Sequence, residues 1–259
     1  MKSLTDDLKL ALDPARFAQM IDVEPDEWQK AALRYKGKKL LLCCSRQSGK
    51  STVSAIIALH RIIYHPRSLV LLVSPSQRQS SELFKKITEL IKILPITLEK
   101  VEDNRLSVTL KNGSRIVSLP STEATIRGYS GADLIIIDEA SRVPDHLFFS
   151  ISPMVAVSGG QILLLSTPAG TRGFFHSAYI SESDEWEKIT VTAEQCPRID
   201  ADFLAKERDQ IGDFYFRQEY LCEFLEPEGS LFTLEQIENC FSDEFDGWDI
   251  SIKRGVMNG

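Results

Sequence analysis

Four short stretches of this chain each contain an unbroken apolar run: "KLLLCC" (Lys39–Cys44), "SLVLLVSP" (residues 68–75), "ADLIIIDEA" (residues 132–140) and "GQILLLSTP" (residues 160–168). A strand with one wet face alternates polar and apolar residues, so an unbroken apolar run must be covered on both faces. Between the first two lies a segment of helical periodicity, residues 50–63, and a second one follows at Gln77–Ile93. Strands alternating with helices in this way build a mostly parallel sheet flanked by helices, an α/β fold. "RLSVTLKNGSRIVSLP" (residues 105–120) alternates in polarity around Asn112-Gly113, which predicts a hairpin. Residues 1–35 read as helices broken near Asp13-Pro14 and Glu24-Pro25. "EKITVTA" (residues 187–193) predicts one more strand, followed by helices rich in charge and aromatics. Residues 226–259 are acidic, punctuated by glycine and weakly periodic. The expected division is therefore a main domain over 1–225 and a small helical or linker subdomain over 226–259.

Composition narrows the classes. With 259 residues, 43% of them hydrophobic, the chain can bury one large core. No apolar stretch approaches the ~20 residues of a membrane span, and the N-terminus lacks an apolar signal core. Five cysteines without a CxxC or a His-paired spacing argue against a disulfide framework or a zinc site, and point to a reducing cytoplasm. A net charge of −7 argues against a simple nucleic-acid-binding domain, although a few local cations suffice to grip phosphates. Two basic clusters, Lys36 with Lys38 and Lys39, and Arg78 with Lys85 and Lys86, read as solvated surface.

"CCSRQSGKST" (residues 43–52) joins the first strand to the first long helix. Its end, Gly49-Lys50-Ser51, is that of a phosphate-binding loop. A triphosphate needs backbone N–H groups converging on its oxygens with a helix N-terminus behind them, which makes Arg46, Gln47, Ser48, Gly49 and Thr52 candidate nucleotide-binding residues. Lys50 would neutralise the β- and γ-phosphates, and Ser51 would place its hydroxyl on Mg²⁺. The GxxxxGK[ST] pattern fails only at its first glycine, here Cys44, where a small residue leaving a strand is tolerable.

The partner motif is "LIIIDEAS" (residues 134–141). Asp138 falls at the carboxyl end of a strand, where open α/β sheets bind ligands, and would hold Mg²⁺ together with Ser51. Glu139, one residue on, is placed to act as general base toward an attacking water. Adjacent acids of this kind indicate a P-loop NTPase of the RecA-like class, with an additional strand and a catalytic glutamate. No Asn-Lys-x-Asp guanine motif is present, so ATP is the expected nucleotide.

Three further features refine the site. Gln29, in "PDEWQKAAL" (residues 25–33), can offer its amide to both edges of adenine, while the neighbouring Trp28 reads as helix packing. Ser166 and Thr167 end a strand beside Glu139 and could sense the γ-phosphate. Arg127, shortly before the Mg²⁺ strand, and Arg46, inside the loop, could each supply positive charge to the transferring phosphoryl group.

With these residues in place the chain resembles the large terminase subunits of tailed bacteriophages, motors that package DNA into procapsids. The resemblance rests on "WQ" at Trp28-Gln29, "SRQSGKS" at residues 45–51, "IRGYSGADLIIIDEA" at 126–140, "LLLSTPAG" at 163–170 and "FRQEYLCEF" at 216–224. The Arg-Gln-x-Gly-Lys loop without a first glycine is usual in that family. The resemblance implies a ring of subunits on a portal protein, double-stranded DNA as cargo, a small terminase subunit as partner and the cytoplasm of a bacterial host as location. It also implies that Arg127 acts in trans on a neighbour's ATP, that Arg46 acts in cis or responds to nucleotide state, and that Ser166-Thr167 couples hydrolysis to movement. Full-length members continue into a metal-dependent nuclease domain. The acids Asp243, Glu244, Asp246 and Asp249 lie on no apolar strand, so no DNA cleavage is expected from this chain. Two other readings share these motifs: a superfamily-2-type helicase or remodelling ATPase, and a nucleotide-gated assembly module with negligible turnover alone.

Overall fold

The structure is a computed structural model, and it describes residues 4–120 and 128–226. Arg127, the acids at 243–249 and all of the expected 226–259 subdomain except Glu226 lie outside the described residues.

Eight strands form one sheet in the order β3-β4-β5-β2-β6-β7-β1-β8. They are β1 (Lys39–Cys44), β2 (Leu69–Ser74), β3 (Lys100–Asp103), β4 (Ser107–Leu110), β5 (Arg115–Pro120), β6 (Leu134–Asp138), β7 (Gln161–Ser166) and β8 (Glu187–Val191). From β5 to β8 every pairing is parallel; β3 and β4 add an antiparallel edge. The turn between β4 and β5 holds Asn112-Gly113, with Gly113 at φ 82°, the left-handed geometry that such a turn demands. β3 was not foreseen. Its four residues, "KVED", are all exposed and carry no apolar pattern, so its strand character comes from pairing with β4 alone.

The unbroken apolar runs have the expected consequence. In β1, Leu40, Leu42 and Cys44 point into one core layer, and Leu41 and Cys43 into the other. β2, β6 and β7 divide between the same two layers, and every residue of these three strands is buried. Against the first layer pack α2 (Pro14–Met20), α3 (Glu27–Arg34), α4 (Lys50–Tyr64) and α5 (Gln77–Ile93). The second is covered by α6 (Asp145–Ile151) and α7 (Gly173–Ile180). α1 (Leu4–Leu12) lies against α2. A third small cluster joins α8 (Ala201–Ile211) and α9 (Asp213–Tyr220) through Leu204, Phe216 and Tyr220. No helix among the described residues is long and apolar enough to cross a membrane. The four described cysteines are free, buried thiols.

β7 lies between β1 and β6 and pairs with both. Cys43 is opposite Ser166, and Asp138 is opposite Leu165. The carboxyl ends of the phosphate-loop strand and the acidic strand therefore sit side by side, one strand apart, with the Ser166-Thr167 end between them. This is the additional strand that the Asp138-Glu139 pair led us to expect.

Cys44 shows why the missing glycine is harmless. It is still within β1, in register with Val191, completely buried and outside the positive-φ residues. Nothing there requires a glycine. Cys44→Gly, which restores the usual pattern, is expected to remove buried side-chain area and add unfolded-state freedom, at a cost of about 2 kcal/mol. Thermal denaturation should show the melting temperature falling by about 4–8 °C, with nucleotide affinity unchanged.

Candidate nucleotide site

The loop from Ser45 to Gly49 is held on three sides. The Ser45 N–H donates to the Val191 carbonyl of β8 at 2.9 Å, and the Ser48 hydroxyl donates to the Ser45 carbonyl at 2.8 Å. At the tip, the Arg46 N–H donates to the Glu219 carbonyl of α9 at 3.0 Å. The turn itself needs left-handed backbone at Gln47 (φ 59°) and Gly49 (φ 97°). At Gly49 the need for glycine is double, because an added Cβ would lie 2.7 Å from Gln29 Nε2. α4 then begins at Lys50, and its Thr52 N–H donates to the Gly49 carbonyl at 3.0 Å, so the N–H groups of Thr52 and Arg46 are engaged within the protein and not free for a phosphate in this arrangement.

Opposite stands the end of β6. Glu139 is left-handed (φ 52°, ψ 42°), a conformation that costs a non-glycine residue about 1–3 kcal/mol and recurs at functional sites. This turn faces the Glu139 carboxylate toward the loop, where its Oε1 lies 3.8 Å from Lys50 Nζ. Asp138 is buried, and its Oδ1 accepts from the Glu139 N–H at 3.0 Å. Burial, then the neighbouring Glu139 charge, pushes the Asp138 carboxyl up to about 6 against the pull of Lys50. Ser51, Asp138 and Glu139 line one groove of about 440 Å³. Its other wall is α5, through Arg78, Lys85 and Lys86, so this basic cluster faces the groove instead of lying on a purely solvated surface. Burial pulls the Lys86 ammonium below its usual value, while Glu89 and Asp138 oppose that shift.

The donor set fits Mg²⁺. A magnesium ion keeps several waters and takes only one or two protein oxygens besides phosphate. The Ser51 hydroxyl and the buried Asp138 carboxylate, which line the same groove, would supply those. Among the described residues no cluster of three acids, cysteines or histidines exists that would suit a different metal.

The remaining expected residues are placed as follows. Gln29 sits in the first turn of α3 with both amide edges engaged. Its Oε1 accepts from the Asp26 N–H at 3.0 Å, and its Nε2 donates to the Ser48 carbonyl at 3.4 Å. It braces the loop here, with one hydrogen bond on each edge of its amide. Trp28 packs against the core, as expected of a helix residue. Arg46 Nε donates to Glu219 Oε2 at 2.9 Å. Ser166 and Thr167 are buried, and the Ser141 hydroxyl is 2.7 Å from Ser166 Oγ and donates to the Thr167 carbonyl at 2.8 Å.

Sequence reasoning missed three residues. Arg198 donates to the Ser48 carbonyl at 2.8 Å and to Asp26 at 2.7 Å, tying the loop to α3. Glu219, on α9, accepts from Arg46 and from Arg142 Nη2 (2.8 Å). Burial pushes the Glu219 carboxyl up, but Arg46, Thr167 and Arg142 outweigh this and leave it below its usual value. Arg142 also reaches Glu139 Oε2 at 2.9 Å. Signals were present for Arg142, three residues past Glu139 and so on the same face of a helical turn, and for the segment of Glu219, which lies in "FRQEYLCEF".

This geometry has known counterparts. The family model described as "Terminase large subunit, T4likevirus-type, N-terminal" matches residues 41–239. The chain belongs to the terminase large subunit family. A terminase large subunit of Thermus virus P23-45 is 25% identical over 253 residues, covering 84% of this chain and 52% of that protein. That of Escherichia phage T5 is 28% identical over 196 residues, covering 73% and 44%. The chain thus spans about half the length of the curated relatives it matches. Among solved structures, the large terminase ATPase domain of Thermus phage P74-26 superposes with a TM-score of 0.70 at 21% identity, covering 81% of this chain and 98% of that one. The large terminase of bacteriophage D6E in complex with ATP-gamma-S gives 0.62 at 13% identity, covering 77% and 52%. The terminase fold shared with these structures is that of a P-loop NTPase, with the phosphate loop after β1 and the acidic pair after β6.

The raised Asp138 carboxyl gives a stability prediction whose sign is fixed. Its folded value, about 6, exceeds its ordinary value of 3.8. Ionisation therefore destabilises the fold increasingly from pH ~4 to ~6, and by a constant amount above that. Asp138→Asn should melt a few degrees above the parent protein at pH 7.5 without nucleotide or divalent cation, with the gain shrinking by pH 4.5. Saturating Mg²⁺-ATP should stabilise the parent more than the variant.

Proposed function

We propose that this chain is the Mg²⁺-dependent ATP-hydrolysing motor domain of a phage packaging enzyme, driving double-stranded DNA into a procapsid. The observation that carries the reading is the meeting of Lys50 and Glu139 at 3.8 Å above a groove lined by Ser51 and Asp138. ATP lies with its triphosphate over the loop and the start of α4, its β- and γ-phosphates neutralised by Lys50. Ser51 and Asp138 would hold Mg²⁺, which when bound would neutralise charge on the phosphate oxygens. Glu139 orients a water and accepts its proton as the water oxygen bonds the γ-phosphorus. The bond from that phosphorus to the β–γ bridging oxygen breaks, and ADP and phosphate leave.

Arg46, held on Glu219 in this structure, would have to leave that carboxylate to act on the γ-phosphate in cis, and Arg127 of a neighbouring subunit supplies the second cation in a ring. Ser166 and Thr167, on the strand between the two motifs, carry the change at the γ-phosphate to α9 through Thr167 and Glu219. The family relationship supports the cellular setting: a homo-oligomeric ring docked on the portal protein in the host bacterial cytoplasm, with DNA selected by a small terminase subunit. The family matched over residues 41–239 favours this reading over the helicase alternative. Nuclease activity is not proposed for this chain.

Glu139→Gln should bind ATP within about threefold of the parent while phosphate release drops at least ~100-fold, a typical scale for losing a positioned base. Lys50→Ala should weaken binding itself, because it removes the cation that faces the phosphates. Titration with a fluorescent ATP analogue, alongside a phosphate-release assay, separates the two. Parent-rate turnover by Glu139→Gln would remove Glu139 from the base role.

A further inference from the structure

The Arg142 guanidinium reaches three elements at once. Its Nη1 donates to Glu139 Oε2 at 2.9 Å and to Thr167 Oγ1 at 3.2 Å, and its Nη2 donates to Glu219 Oε1 at 2.8 Å. The acceptors belong to the turn after β6, the segment after β7, and α9. We propose that Arg142 is a positioning residue for the base Glu139: it fixes Oε2 so that Oε1 faces Lys50 and the phosphate groove, and Glu219 in turn fixes Arg142. This rests on the ATPase reading above.

The need for such a residue follows from the geometry of Glu139. Its carboxylate is two rotatable side-chain bonds beyond the Cβ, and a quarter of the side chain is exposed, so packing alone does not hold it. An ordinary exposed ion pair three residues apart would not hold it either, being worth ~0.5 kcal/mol or less. This pair differs because its cation is itself immobilised. The Glu219 side chain is only 10% exposed and takes Arg142 on one oxygen and Arg46 on the other. The turn that carries Arg142 is tied down as well, through the Ser141 contacts to Ser166 and to the Thr167 carbonyl. A planar guanidinium with five fixed donors can serve three acceptors in different directions, whereas an ammonium on a flexible stem cannot hold the same arrangement. The loop arginine Arg46 and the positioning arginine Arg142 thus share the Glu219 carboxylate, which links α9 to Glu139 through Arg142.

The test uses the whole chain with Arg142→Ala, Arg142→Lys, Glu219→Gln and the double variant Arg142→Ala/Glu219→Gln. Steady-state kcat and KM for ATP, the Kd of a non-hydrolysable ATP analogue and the melting temperature are measured for each. Misplacing a catalytic group by about 1 Å costs on the order of 100-fold. Arg142→Ala is therefore expected to lower kcat by about 10- to 100-fold with Kd within about twofold of the parent. Arg142→Lys should recover part of the loss. The double variant should be no slower than Arg142→Ala alone, because both changes disable one device. A kcat at the parent level in Arg142→Ala would overturn the proposal. So would losses that multiply in the double variant, or a loss explained by unfolding or by weaker binding. Should Arg142→Ala fail to fold, Arg142→Lys and Glu219→Gln decide alone: kcat at the parent level in both overturns it, and lowered kcat with unchanged Kd supports it. A parent protein without any ATP turnover sinks the ATPase reading itself, and this inference with it.

Discussion

Complete burial of the central strands is the constraint on which everything else depends. β2, β6 and β7 are buried along their whole length, and β1 along all but its first residue. Polar chemistry is therefore confined to the strand ends. Parallel pairing places the carboxyl ends of β1, β7 and β6 in a row. The phosphate loop leaves the first, the hydroxyl pair Ser166-Thr167 the second, and Asp138-Glu139 the third. The site is the place where a water-excluding sheet opens, which is the general location of ligands in open α/β folds.

Charge is distributed to match. The chain as a whole is acidic, yet Lys50, Arg46, Arg142 and Lys86 gather around Asp138, Glu139 and Glu219. Interleaved cations and anions in a partly buried groove respond strongly to an added polyanion, since each interaction is stronger than it would be in water. Asp138 shows this most clearly, because burial and the neighbouring Glu139 hold its carboxyl well above its ordinary value. Glu219 shows the converse, held low by two guanidinium groups and the Thr167 hydroxyl despite its burial.

Much of this was legible in the sequence, for physical reasons. β1 and α5 have the bounds read from their apolar patterns, and α4 runs one residue longer than its reading, to Tyr64. Two-sided burial and helical periodicity are local signals that leave direct marks on the order of residues. β3 left no mark, because an exposed edge strand of "KVED" is defined only by its neighbour. Contacts across long separations were equally silent. Glu219 meets Arg46 from 173 residues away, and Arg198 meets Ser48 from 150. "FRQEYLCEF" marked the right segment without disclosing that its glutamate closes on the phosphate loop. Gln29 was read for its hydrogen-bonding edges, and both are engaged within the protein through contacts that only the packing of α3 on the loop creates.

The central claim is that this groove hydrolyses ATP, completed by a neighbour's arginine. It is tested most directly by phosphate release from ATP across a wide range of protein concentration, with and without Mg²⁺, for the parent and for Arg127→Ala. The account predicts activity only with Mg²⁺, a specific rate that climbs as subunits associate, and its loss in Arg127→Ala. A folded protein that releases no phosphate at any concentration would contradict the claim of hydrolysis. A rate indifferent to concentration and to Arg127 would contradict the shared site and leave a monomer acting through Arg46.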